Sequence, residues 1–274
     1  MSEQNPSDNG LLQLVQVNAP FDLLVEKYLD VFLYHRVNPE IGFSAAVLDE
    51  VDHKRLQFVA DLLARHGLTT TVHGPFMDLA PGGLDEEVRQ VSRRRFHRLL
   101  DLAPIFEPKA IVFHAGYDDR RYHEHRSRWL ENSITTWEPL VARAEKLRVP
   151  IQLENTYEET PEMILAVLEK ISSDYFGFCF DIGHQHVFAR APLAEWLDCL
   201  GDYLGHVHLH DNDGRCDSHQ AIGDGSAPFH ELFQYLGNNN RRPVITLEPH
   251  AEENLWLSLQ SLRELWPWEL TGPA

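Results

Sequence analysis

Short β-branched or apolar runs alternate along the chain with longer segments of helical period. Strands are predicted at 11–17, 31–34, 69–73, 110–114, 150–154, 176–181, 205–210 and 243–248. The amphipathic stretches 52–66, 86–103, 124–147, 161–171, 192–200, 228–237 and 252–265 predict the helices between them. In 52–66, for example, Leu56, Val59, Leu62 and Leu63 form one apolar stripe. Strands that alternate with helices imply parallel pairing through right-handed crossovers. Eight of them in 274 residues fit a single α/β domain over 1–274, a (β/α)8 TIM barrel, with residues 1–10 as a flexible N-terminal tail. An open doubly wound sheet is the other arrangement, but no glycine-rich phosphate loop follows the first predicted strand.

Several of these runs end in groups that bind cations. Those at 69–73 and 110–114 end in His73 and His114, those at 150–154 and 243–248 end in Glu154 and Glu248, and 176–181 ends in Asp181. The run 205–210 carries His208 and His210 near its end. The terminal groups His73, His114, Glu154, Asp181, His208 and Glu248 follow one another at intervals of 41, 40, 27, 27 and 40 residues, each compatible with one or more βα units. A barrel gathers all such strand ends at one rim, where enzymes of this architecture place their chemistry.

Each residue alone has a plainer reading. A strand-end carboxylate caps the following helix, Cys179 in F-G-F-C-F packs in a core, and Arg93–Arg95 form a solvated helix face. Arg120, Arg121, Arg126 and Arg128 follow His114 on the rim side and suit an anionic substrate. Together, however, imidazoles and carboxylates make the ligand set of Zn, Mn or Fe, whereas Mg and Ca sites usually lack histidine. Several carboxylates side by side repel one another unless cations sit between them.

Composition adds limits. Hydrophobic residues at 43% and charged residues at 24% fit an ordinary soluble globular protein. Cys179, Cys199 and Cys216 are odd in number and lack C-x-x-C spacing, which fits a reducing compartment. The polar start M-S-E-Q-N-P-S-D-N-G and the lack of any membrane-length apolar run point to a cytoplasmic enzyme with no membrane partner. With 24 Lys and Arg against 42 Asp and Glu, the net charge of −18 argues against duplex nucleic acid as a partner. No G-x-S-x-G nucleophile elbow is present.

The motifs V-H-G-P-F at 72–76, F-H-A-G-Y at 113–117, L-E-N-T at 153–156, F-D-I-G-H at 180–184, H-L-H-D at 208–211, D-S-H-Q-A-I-G-D-G at 217–225 and L-E-P at 247–249 resemble the xylose isomerase-like barrels that include endonuclease IV, the AP endonuclease 2 superfamily. The resemblance covers roughly residues 70–250 and implies a cluster of up to three metal ions, most simply zinc, with Mn or Fe as alternatives. His73, His114 and Glu154 would hold one ion, with Glu154 bridging to a second completed by Asp181, His208 and Glu248; His184, Asp217 and His219 would hold the third. Asp217 and His219, two apart, face the same way if their segment is extended.

Isomerases and epimerases of the superfamily use a single metal on two Glu, one Asp and one His, here Glu154, Glu248, Asp181 and His208, with the glutamates as acid and base. They have no need of the other five ligands. Their presence predicts a metal-dependent hydrolase acting on a small phosphodiester, with Glu154 fixing the intermetal distance and Glu248 orienting hydroxide. The segments E-I-G-F at 40–43, F-M-D-L at 76–79 and W-L-E-N-S at 129–133 resemble the branch that cleaves the nucleotide loop of cobamides. A single-metal sugar or sugar-phosphate isomerase or epimerase was the alternative, and an abasic-site DNA endonuclease the second.

Overall fold

Parallel strands cannot be joined by tight turns, so each needs a crossover long enough to return to the same end of the sheet. In the computed structural model, which describes residues 8–269, those crossovers are helical. Eight strands pair in sequence order: β1 (Gln16–Pro20), β2 (Asn38–Gly42), β3 (Thr71–His73), β4 (Ile111–His114), β5 (Ile151–Glu154), β6 (Phe176–Asp181), β7 (Leu204–Leu209) and β8 (Val244–Leu247). All pairs are parallel, and Gln16 opposite Thr246 and Val17 opposite Leu247 close the barrel. The expected (β/α)8 TIM barrel is the observed fold.

From β3 onward the predicted strands lie within two residues of the observed ones. The first two do not. Residues 11–17 straddle the end of a helix, Asp8–Leu12, and the start of β1. That helix also takes in part of the expected tail; residues 1–7 lie outside the described residues. The run 31–34 falls inside the helix Leu29–His35, where Phe32 is buried, Leu29 and Leu33 pack against the core, and Tyr34 is exposed. This spacing is helical. The strand is instead N-P-E-I-G, whose buried Asn38 and Glu40 hide it from an apolar pattern. The predicted helix 86–103 divides into Glu86–Leu100 and Ala103–Phe106.

Helix starts follow side-chain chemistry: Ser44, Asp52, Asp85, Asp118 and Asp181 each accept a backbone N–H of the following helix. Between barrel and helices lies an apolar layer in which Phe96, Phe113 and Trp137 pack with ring centroids 4.7–5.6 Å apart. Inside the barrel the filling is polar. Glycines at 177 and 205 leave room for Gln152, because a Cβ at either would come within 2.5–2.7 Å of its amide. Among the described residues no helix is long and apolar enough to cross a membrane.

Trp137 is fully buried. Trp137→Ala therefore leaves a large cavity behind β4 and is expected to cost about 3–5 kcal/mol in urea denaturation; a loss below about 1 kcal/mol would show that this layer is not close-packed.

Candidate active site and metal centre

The C-terminal ends of the strands bring the nine predicted residues into one connected cluster. Glu154, at the end of β5 and 1% exposed, lies at its centre. Its Oε2 is 2.9 Å from His73 Nε2 and 3.4 Å from His114 Nε2; its Oε1 is 3.2 Å from His184 Nδ1 and 3.4 Å from His208 Nδ1. Asp181, at the end of β6, has Oδ2 3.5 Å from His184 Nδ1 and 3.9 Å from His208 Nδ1. Glu248, just beyond β8, has Oε1 3.2 Å from His208 Nδ1. One imidazole nitrogen thus faces three carboxylates.

Asp217 and His219 come from the loop after β7. Asp217 Oδ2 is 3.4 Å from both His184 Nε2 and His219 Nε2. Their segment is not the extended one expected: His219 has φ +47°, in the left-handed region, and its Nδ1 contacts the Glu248 carbonyl at 3.0 Å. A non-glycine residue in that region stores strain that its surroundings must hold. Asp211 supplies much of the holding, accepting the backbone N–H groups of Asn212, Gly223, Gly225 and Ala227 and pairing with Gln220. Asp181 combines two roles, since its Oδ1 also caps the next helix through His184 N at 2.6 Å.

Three further residues belong to the cluster. His210 Nε2 is 3.1 Å from Asp181 Oδ1, and its Nδ1 is 3.5 Å from Asp217 Oδ1. Glu40 and His206 lie within the barrel, both fully buried, 3.3 Å apart. H-V-H-L-H at 206–210 held the signal for the histidines, because period two puts all three on one face. Glu40 opens the E-I-G-F segment at 40–43, but nothing in that segment marks it as part of a metal cluster. His210 Nδ1 also explains Gly183, where a Cβ would come within 2.1–2.6 Å of the His210 ring.

Burial pushes the Glu154 carboxyl up, but the imidazoles of His114, His208 and His184 around it hold it well below the usual range. Asp181 is likewise held down against burial by His184 and His210. In return, His184 is raised despite its burial by Asp181, Asp217 and Glu154, and His219 is raised to about 9, chiefly by Asp217. His114 goes the other way: burial outweighs Glu154 and depresses it to about 3. The carboxylates demand positive charge. Buried His208 Nδ1 and Nε2, His210 Nδ1 and Asp217 Oδ1 have no hydrogen-bond partner. Mixed imidazole and carboxylate donors of this kind fit a divalent transition ion, and five overlapping donor groups satisfy the spacing for one.

The rim arginines expected to take an anionic substrate are already paired. Arg120 and Arg121 contact Asp118, and Arg126 contacts Glu162; Arg128 lies near Glu131. Of the W-L-E-N-S segment, Trp129, Asn132 and Ser133 are buried. Asn132 donates to the Gly83 carbonyl, and a Cβ on Gly82 would come within 2.5 Å of the Trp129 indole. That segment anchors the loop after β3 and does not define a substrate.

This chain belongs to the xylose isomerase-like TIM barrel family, whose model matches residues 39–265. It is 31% identical over 218 residues to an uncharacterised protein of Methanocaldococcus jannaschii, covering 77% of this chain and 74% of that one. A D-tagatose 3-epimerase-like protein superposes with TM-score 0.77 at 26% identity, covering 92% of this chain and 96% of the other. A Thermus thermophilus protein, solved after soaking with zinc chloride, gives TM-score 0.77 at 30% identity over 92% and 97%. Fructoselysine 3-epimerase of Escherichia coli O157:H7 is 32% identical over 85 residues, 31% of this chain and 30% of that enzyme. These relatives overturn the expected phosphodiesterase, its phosphodiester substrate and the cobamide branch with it: those with a named activity are sugar epimerases. Ligand number reports how much cationic charge a site accepts, not which bond reacts, so nine donors do not make the site a hydrolase.

Glu158 sits beside the cluster, its carboxylate accepting Tyr117 N at 2.9 Å and Thr156 N at 2.6 Å and so tying together the loops after β4 and β5. Burial raises it from 4.5 to about 7, against the pull of those N–H groups. Between these values the native state keeps a proton that the unfolded chain releases, so stability falls as pH rises through the window. Glu158→Gln should therefore gain on the wild type between pH 4.5 and 7, by about 3 kcal/mol at most. Urea denaturation at both ends of the window checks this; a constant difference would contradict it.

Proposed function

We propose that this chain is a metal-dependent sugar or sugar-phosphate epimerase or isomerase that moves a proton at the carbon next to a ketose carbonyl. The observation that carries the reading is His208 Nδ1 facing Glu154, Asp181 and Glu248 within 3.9 Å. That is the two-glutamate, one-aspartate, one-histidine set of the single-metal branch, and the epimerase relatives support it. These four residues would hold one divalent ion, zinc or manganese, which supplies Lewis-acid charge for the oxyanion that develops when the neighbouring C–H bond breaks.

The protein's own part is proton transfer and orientation. Glu154, held ionised, takes the proton from one face of the carbon. A proton carried by Glu248 then passes to the enediolate at the same carbon from the other face, so the centre inverts and the proton that Glu154 gains balances the one that Glu248 loses. His184, His210, Asp217 and His219 form the neighbouring polar wall. They offer donors and an acceptor to the sugar hydroxyls, and as a four-donor group they are also able to take a second ion. Phe76, 45% exposed and stacked on His114 at 4.4 Å, adds an apolar face for the sugar's C–H groups.

Incubation of the metal-loaded enzyme with D-tagatose, D-psicose or D-fructose in deuterium oxide tests the reading. One solvent deuteron should enter at a single carbon of the epimerised product. Glu154→Gln and Glu248→Gln should each lower kcat about 10²–10⁴-fold. Absence of exchange on every ketose and ketose phosphate tried would sink it.

A further inference from the structure

Beneath His208 and the three carboxylates it faces, in the barrel interior, a further fully buried carboxylate belongs to none of the roles above. Glu40 Oε1 lies 3.0 Å from His208 Nε2 and accepts the Asn18 amide at 3.1 Å. Its Oε2 accepts the hydroxyls of Thr71 at 2.8 Å and Thr246 at 3.0 Å. His206 Nε2 contacts Thr246 Oγ1 at 2.7 Å and lies 3.3 Å from the same Oε2. Every partner of this carboxylate is a donor. Four different strands and β2 itself converge on it, so its position is set by the closed barrel and not by a mobile loop.

We infer that Glu40 is a positioning residue for the metal centre: its anionic Oε1, 3.0 Å from His208 Nε2, draws the imidazole proton to that nitrogen and so selects the tautomer whose Nδ1 lone pair faces Glu154, Asp181 and Glu248. An imidazole has two nitrogens, and the one that carries the proton cannot bind a cation. With the proton drawn to Nε2 by the Glu40 charge, Nδ1 keeps its lone pair on the side of the three carboxylates. The anionic acceptor also makes Nδ1 a stronger donor, as carboxylates behind metal-binding histidines do elsewhere. Asn18 shares Oε1 with His208, whereas Thr71 and Thr246 donate to the other oxygen, so the loss of Thr71 alone leaves the Glu40–His208 contact in place. The inference rests on the proposal that His208 holds the metal.

The test compares the affinity of the full chain for Zn²⁺, by chelator competition, in wild type, Glu40→Gln and Thr71→Val. Glu40→Gln keeps the shape and one acceptor oxygen but removes the charge. It should weaken zinc binding about 10- to 100-fold in protein that is folded by circular dichroism. Thr71→Val removes another partner of the same carboxylate without touching His208, and should change zinc affinity less than threefold. If Glu40→Gln does not fold, Glu40→Asp keeps the charge, draws it away from His208, and should show the same weakening. A folded Glu40 variant that binds zinc as tightly as wild type overturns the inference, as does an equal loss in Thr71→Val, which would mark a general packing effect. Wild-type protein that binds no zinc overturns the metal-centre reading itself and this inference with it, so the two failures are distinguishable.

Discussion

Everything at the rim depends on how buried negative charge is compensated. Glu40, Glu154 and Asp181 are each at most 1% exposed, and moving a lone carboxylate that far from water costs several kcal/mol. The protein sets imidazoles against them in a continuous network. Glu154 alone lies within 3.4 Å of His73, His114, His184 and His208. Because the carboxylates stay ionised, His73 and His184 are pulled toward the charged state while burial depresses His114, and the cluster as a whole is built to receive positive charge.

The barrel makes that concentration of charge affordable. Each donor is carried at a strand end or on a loop braced by backbone hydrogen bonds, so little chain entropy remains to be lost when a ligand binds. Asp211 illustrates the bracing. It touches no substrate-facing group, yet four N–H contacts from its loop place Asp217 and His219. Asn155 does the same between β5 and β6, exchanging hydrogen bonds with the Asp181 backbone at 2.9 Å in both directions. Gly183 and Gly225 are the complement of this packing, since a Cβ at either would run into His210 or into Asn212 and Asp211.

Much of this was legible in the sequence, for a physical reason. Strands β3 to β8 bury apolar side chains toward the helices, so they read as apolar runs, and their rim residues follow directly as His73, His114, Glu154, Asp181, His208 and Glu248. β2 failed the same test because two of its inward positions are Asn38 and Glu40 and the strand contains Pro39. Its polarity is tolerable only because β1, β3, β7 and β8 supply partners, and those contacts are more than twenty residues away in sequence. Chemistry was less legible than place. Nine convergent donors suggested a hydrolase, but the same donors suit proton transfer next to a carbonyl, and the relatives with named activities are epimerases.

The central claim is that His208 Nδ1, Glu154, Asp181 and Glu248 are the donors of one catalytic ion. A crystal of the protein grown with Zn²⁺ and measured on both sides of the zinc absorption edge addresses it directly. An anomalous peak is expected within bonding distance of these four side chains, whatever other peaks are present. Zinc seen only at His184, Asp217 and His219, with His208 Nδ1 unligated, would contradict it.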